Sequence, residues 1–207
     1  MSRFFRWSVT LASLVIVTAA VINESISTAA ADEPKGRVLF DFSQTEASRQ
    51  WQTVNDGVMG GRSDGRFSVA EKGTMEFLGT LSLANNGGFA SVRSRTRALG
   101  LKEGDTLVAR VKGDGRRYTL NLYVPRRRMA FSYRVEFQTK KDEWIEVRAP
   151  LKDFVATSFG RTVKNARPVG SLDVNSLGFL LGDKKAGPFK LEVDWIKAEQ
   201  APASDVQ

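Results

Sequence analysis

Apolar and polar residues alternate with period two through one short segment after another of this chain, and that pattern leaves little room for anything but β-structure. In "DTLVARVK" (105–112) Leu107, Ala109 and Val111 face one way while Thr106, Val108, Arg110 and Lys112 face the other. In "FSYRVEFQ" (131–138) Phe131, Tyr133, Val135 and Phe137 oppose Ser132, Arg134, Glu136 and Gln138. Strands of this kind bury one face of a sheet and wet the other. The segments 37–42, 65–71, 74–82, 87–94, 117–124, 144–149, 175–182 and 189–196 are also short, rich in β-branched or aromatic residues, and bounded by Gly, Pro, Asp or Asn. Asp114-Gly115, between two alternating runs, is a hairpin signal. Strands at this spacing predict an all-β chain folded as an antiparallel jelly-roll β-sandwich. Helix is scarce. "SQTEASRQW" (43–51) offers a capping box, Ser43 with Glu46, for one or two turns, and "PLKDFVATSFG" (150–160) predicts another turn near Asp153.

The residues that are missing narrow the chemistry. No Cys and no His occur among 207 residues, which removes thiolate chemistry, Ser-His and Cys-His nucleophile systems, and nearly all zinc sites. Carboxylate chemistry, oxygen-ligand metals and binding remain. At the N-terminus Arg3 and Arg6 precede an apolar run from Val9 to Ile22, and Ala29, Ala30 and Ala31 supply small residues for cleavage. Residues 1–31 therefore read as a secretory signal peptide, with a retained N-terminal membrane anchor as the alternative, although the run falls short of the roughly 20 apolar residues that a spanning helix needs. The expectation is export to the periplasm or extracellular space, a single β-sandwich domain over 32–200, and a polar tail at 201–207.

Charge is uneven. Without residues 1–31, which hold Arg3, Arg6 and Glu24, 29 basic and 22 acidic residues remain, a net charge of +7. Between Arg93 and Arg134 lie twelve basic and three acidic residues, so the rest is slightly acidic. A surplus concentrated in mid-domain predicts one basic face over residues 93–134, suited to an anionic membrane surface, an acidic glycan or an acidic protein patch, and not to nucleic acid. Plain solvation of the surface accounts for the same pattern.

The stretch "VNDGVMGGRSDG" (54–65) invites a phosphate or metal reading, and elimination removes each. A Walker loop needs Gly-Lys-Ser/Thr opening a helix, whereas Arg62 precedes Ser63 and a strand follows. A dinucleotide fingerprint needs a parallel βαβ unit, and calcium-loop spacing is absent. What remains is an ordered loop: Gly57, Gly60 and Gly61 permit positive φ and close approach, and Asp56 and Asp64 bond their own backbone.

Those same residues carry a resemblance. "WQTVNDGVMGGRSDG" (51–65) followed by "FLGTLSLANNGGFASVRS" (77–94) resembles the signature of the complex I intermediate-associated protein 30 family. "SLGFLLGDKKAGPFKLEVDWIKAE" (176–199) is similar to the closing hairpin of that family and of galactose-binding-like β-sandwich domains. The resemblance spans about 40–198 and implies a galactose-binding-like fold akin to carbohydrate-binding modules, together with a role as an assembly factor for respiratory complex I and a protein partner.

Candidate binding residues follow. Trp51, Asn55, Asp56, Asn85 and Asn86 converge if loops gather at one end of the sandwich; otherwise Trp51 is core and the rest make turns. Arg93, Arg95 and Arg97 alternate with Val92, Ser94 and Thr96 and share a face if that segment stays extended. Tyr123 and Tyr133 are the aromatics that a glycan would stack on, should the chain be a lectin-like domain of the cell envelope. Among the carboxylates Asp41, Asp56, Asp173, Glu192 and Asp194, spacing pairs no two as a glycosidase requires. Asp41 and Asp194 suit a weak structural calcium at most. The expectation is a non-catalytic binding or assembly module with no cofactor.

Overall fold

In the computed structural model, which describes residues 36–44, 46–125, 130–170 and 174–200, the alternating segments become antiparallel strands. They are β1 (Arg37–Asp41), β2 (Trp51–Thr53), β3 (Asp64–Val69), β4 (Met75–Leu81), β5 (Ala90–Ser94), β6 (Thr106–Gly113), β7 (Arg117–Tyr123), β8 (Phe131–Gln138), β9 (Trp144–Pro150), β10 (Val155–Ser158), β11 (Arg161–Thr162), β12 (Ser176–Leu181) and β13 (Gly187–Glu199). One sheet runs β3-β4-β13-β6-β9, with β1 also paired to β13; the other runs β11-β10-β8-β7-β12-β5-β2. The expected all-β sandwich is the fold found.

Period two sorts the side chains between the layers. Leu107, Ala109 and Val111 are fully buried, whereas Arg110 and Lys112 on the opposite face pair with Asp194 and Glu192. From the other sheet Tyr118, Leu120 and Leu122 of β7 and Leu177, Phe179 and Leu181 of β12 point into the same core. Aromatic pairs fill its ends: Phe77 lies 4.9 Å from Phe189, and Phe40 4.9 Å from Trp51, centroid to centroid. Offset or edge-on rings at such spacing contribute about 1 kcal/mol beyond their buried area.

Three expectations are corrected. Asp114-Gly115 does not close a hairpin: β6 pairs with β9 and β13, β7 with β8 and β12. The turn instead passes the chain from one sheet to the other. Asp114 shapes it, accepting the Arg116 and Lys190 amides at 3.0 and 2.9 Å and the Tyr118 hydroxyl. The Ser43–Glu46 capping box is not formed either. The helical piece is a 3-10 turn at Ala47–Gln50 with Glu46 at its N-cap and no side-chain cap, and the Ser43 amide bonds Asp41. Finally, the basic residues of 93–134 do not make one face. Arg110 and Lys112 lie outside the first sheet, Arg93 and Arg134 outside the second, and Arg116 is tied to Asp183 at 2.6 Å. Strand alternation and the sheet change at residue 114 scatter charges that are close only in sequence. Residues 126–128 of that run lie outside the described residues.

Candidate functional site

The glycine-rich stretch and the "NNGGF" run (85–89) meet at one end of the sandwich, and a buried carboxylate joins them. Hydrogen bonds Val54 N to Ser91 O (2.9 Å) and Asp56 N to Phe89 O (3.2 Å) extend the β2–β5 pairing into the loop that follows β2. That register carries Asp56, the first residue of a 3-10 turn at Asp56–Met59, inward until it is fully buried. Its Oδ1 accepts the Ser63 amide at 2.9 Å; its Oδ2 accepts the Ser63 hydroxyl and the Gly88 amide, both at 2.6 Å, and the Phe89 amide at 3.3 Å. Burial alone would raise the Asp56 pKa, but these donors outweigh it and hold the carboxyl below its ordinary range.

Glycine makes room for this carboxylate. A Cβ on Gly61 would lie 2.5 Å from Asp56 Oδ1, and one on Gly87 2.5 Å from Oδ2. Gly60 has a different reason to be glycine: it ends the 3-10 turn at φ +86°, a left-handed conformation that β-branched residues avoid. Outside the carboxylate, Asn85 Nδ2 donates to Gly60 O at 3.3 Å, and Asn55 Nδ2 donates to Gly65 O at 2.8 Å. Asn85 and Asn86 both sit at φ 57°, which asparagine tolerates. The two loops are thus one bonded unit, and they hold out Val58, Met59 and Leu83, which are 73%, 54% and 46% exposed. Sequence reasoning missed these three. The signal was present as apolar residues inside a turn-rich segment, where a loop has no internal use for them.

The remaining candidates are dispersed. Trp51 belongs to the core, 2% exposed between Phe40 and Phe42. Tyr133 is also core, its hydroxyl donating to Arg167 O, so it offers no ring to a sugar. Arg95 donates from Nε to Arg49 O. Arg93 stacks on Tyr123 with its Cζ 4.6 Å from the ring centroid, on the outer face of the second sheet and away from the loop unit. The weak calcium reading is corrected. β1 and β13 are neighbours, as it required, but Asp194 is paired with Arg110 and Asp41 accepts the Ser43 amide. Asp173 lies outside the described residues.

Comparison with known proteins places first the fold and then the family. The sandwich is similar to the family 11 carbohydrate-binding module of a cellulosomal cellulase of Clostridium thermocellum, with a TM-score of 0.58 over 80% of this chain and 95% of that one, at 14% identity. The model of the complex I intermediate-associated protein 30 family matches residues 40–193, and the chain belongs to that family. Its relatives include the mitochondrial complex I intermediate-associated protein 30 of Mus musculus, 30% identical over 190 residues, and that of Drosophila melanogaster, 26% identical over 188. The alignments take in 82% and 80% of this chain but 58% and 64% of those proteins, so the chain spans about three-fifths of their length.

These relatives overturn the expectation of export, since the animal proteins are named as mitochondrial. The signal-peptide and anchor readings both fall on residues outside the described ones. Two arginines, five serines and a single acid among the first 31 residues are composition that secretory and organellar leaders share, which is why the segment misleads.

Proposed function

We propose that this chain is a non-catalytic, chaperone-like module that assists assembly of a respiratory complex I intermediate and meets its protein partner through Val58, Met59 and Leu83. One observation carries the reading: three large apolar side chains stand exposed on two loops that a buried carboxylate bonds together, inside the segment that the family model covers. Apolar side chains on a pre-ordered loop suit a protein contact, because little conformational freedom remains to be lost on binding. The names of the relatives supply the class of partner. A general acid would need a raised pKa, and Asp56 and Glu192, both buried, are held low instead. The glycan alternative has less support, with Arg93 stacked on Tyr123 and Tyr133 in the core.

The test is a Val58→Asp, Met59→Asp double variant expressed in the host in place of the wild-type chain. Co-purification of complex I subunits with the tagged protein should fall at least about tenfold, while the melting temperature stays within a few degrees because both positions are exposed. Undiminished co-purification would overturn the docking site. Complex I that assembles at the normal rate in a deletion strain would overturn the assembly role itself.

A further inference from the structure

Away from the loop unit, the outer face of the second sheet carries one continuous row of cross-strand partners. Gln52, Arg93, Gly178, Asn121, Arg134 and Val155 are each paired with the next in register, across β2, β5, β12, β7, β8 and β10. Strands about 4.8 Å apart put the Arg93 and Arg134 backbones roughly 14 Å from one another, within the combined reach of two arginine side chains. Between them stands Gly178, where the neighbouring β5 comes close: a Cβ there would lie 2.3 Å from Val92 O, 2.9 Å from Arg93 Cα and 3.2 Å from Arg93 Cγ.

The two arginines are prepared in the same way. Arg93 Nε donates to Ser91 Oγ at 3.2 Å and Arg134 Nε to Ser132 Oγ at 3.1 Å, each serine standing two residues earlier on the arginine's own strand. These bonds use the Nε of each guanidinium, and Arg93 also hydrogen-bonds Tyr123; the further N–H groups of a guanidinium fork suit a bidentate anionic partner. Among the described residues neither arginine has a carboxylate ion pair, and Glu136 on β8 is paired with Arg117. Tyr123 lies under Arg93, whose Cζ is 4.6 Å from the ring centroid. Burial, with Arg93 adding its repulsion, holds Arg134 below the ordinary arginine range. A cation so placed is stabilised by any anion that enters.

At the floor is Asn121, fully buried, whose Nδ2 has no hydrogen-bond partner. The Ser132 hydroxyl, which accepts from Arg134 Nε, lies 3.4 Å from both Asn121 Oδ1 and Thr157 Oγ1. Buried donors left unmade are rare, and a site that lacks its ligand is one reason for them.

We propose that this face binds a phosphate group, gripped by the guanidinium forks of Arg93 and Arg134 and by the Asn121 amide. A carboxylate is satisfied by one fork. Two forks and an amide arriving from three different strands match a tetrahedral dianion, whose charge balances two arginines. The group belongs either to a soluble phosphomonoester or to a lipid headgroup.

Calorimetric titration of the full chain tests this, with inorganic phosphate and then glycerol 3-phosphate as probes against chloride at matched ionic strength. Saturable phosphate binding is expected in the wild type. It should weaken about tenfold or more in Arg93→Gln and Arg134→Gln and vanish in Asn121→Asp, which presents a repelling oxygen. Arg117→Gln, off the row, should bind as the wild type does. Co-sedimentation with phosphatidylcholine vesicles, with and without phosphatidic acid, separates the two sources: capture by phosphatidic acid alone assigns a headgroup, and tight glycerol 3-phosphate binding without capture assigns a soluble ligand. A response to phosphate no greater than that to chloride would overturn the site, as would wild-type affinity in both arginine variants. The arginine variants decide the matter should Asn121→Asp lose its melting transition.

Discussion

Asp56→Asn is expected to destabilise the fold by about 4 kcal/mol, although it changes one atom of a side chain in a loop. The carboxylate is fully buried and accepts four hydrogen bonds, from the Ser63 amide, the Ser63 hydroxyl and the Gly88 and Phe89 amides. An asparagine keeps one acceptor oxygen and turns an NH2 group toward donors on the other side. Bonds to a charged acceptor contribute roughly 1.5–3 kcal/mol each, and a buried donor left unpaired costs about 1–3. Partial relaxation of the loop brings the sum down to the figure given. Gly61→Val and Gly87→Val should reproduce part of the loss, about 2–3 kcal/mol, since each drives a side chain into the same carboxylate. Gly60→Val should lose less, about 1–2 kcal/mol, because nothing lies within 4 Å of its Cβ position and only the left-handed backbone is strained. Urea melts measure all four. Equal losses at residues 60 and 61 would refute the carboxylate as the reason for Gly61, and a wild-type midpoint for Asp56→Asn would refute its central role.

Most of the fold could be read from the sequence because a sandwich rests on alternation, and alternation survives in a single chain. The strands that escaped notice are the short ones. Trp51–Thr53 is three residues long and opens directly into the turn-rich loop; Val155–Ser158 follows a 3-10 turn whose Lys152 and Asp153 looked helical. The misread turn at Asp114-Gly115 has another cause. A tight Asp-Gly turn between two strands joins neighbours or changes layers with the same local chemistry, and only the packing of Leu107 and Leu120 into one core from opposite sides decides between them.

The candidate site was legible only in outline. Glycines and asparagines in "NDGVMGG" and "NNGGF" announce two unusual loops, and loops of a sandwich gather at its ends. That one carboxylate bonds both loops depends on register: Asp56 N reaches Phe89 O only because Trp51 pairs with Ser94. The row on the outer sheet is less legible still. Its six members come from six strands and from residues 52 to 178 of the chain, and no sequence window contains more than one of them at a useful spacing.

The second large effect expected is a dependence of stability on acid that is centred on Glu192. This residue is 5% exposed on the outer face of β13, within 2.7 Å of Lys72, 3.1 Å of Lys112 and 3.2 Å of Lys190. Burial by itself would raise its pKa, but the hydrogen bonds from Lys72, Lys112 and Lys190 prevail and bring it from an ordinary 4.5 to about 2. A carboxyl with a lowered folded pKa stabilises the fold above its unfolded pKa and loses that contribution as pH falls through the folded one. The full contribution is therefore present above about pH 5 and drains away between 4.5 and 2. The gap corresponds to about 3 kcal/mol, and since Lys72 and Lys190 are 54% and 48% exposed, solvent screening reduces it to about 1.5 kcal/mol. Asp41, Asp56 and Asp183 are also held low and act in the same direction, so wild-type acid sensitivity alone cannot identify the group. Glu192→Gln can. Its stability deficit in urea melts should be about 1.5 kcal/mol at pH 7, hold steady to pH 5, and close toward zero by pH 2. A deficit that stays constant down to pH 2 would mean that Glu192 contributes packing and not charge, and a deficit that grows in acid would reverse the sign of the argument altogether.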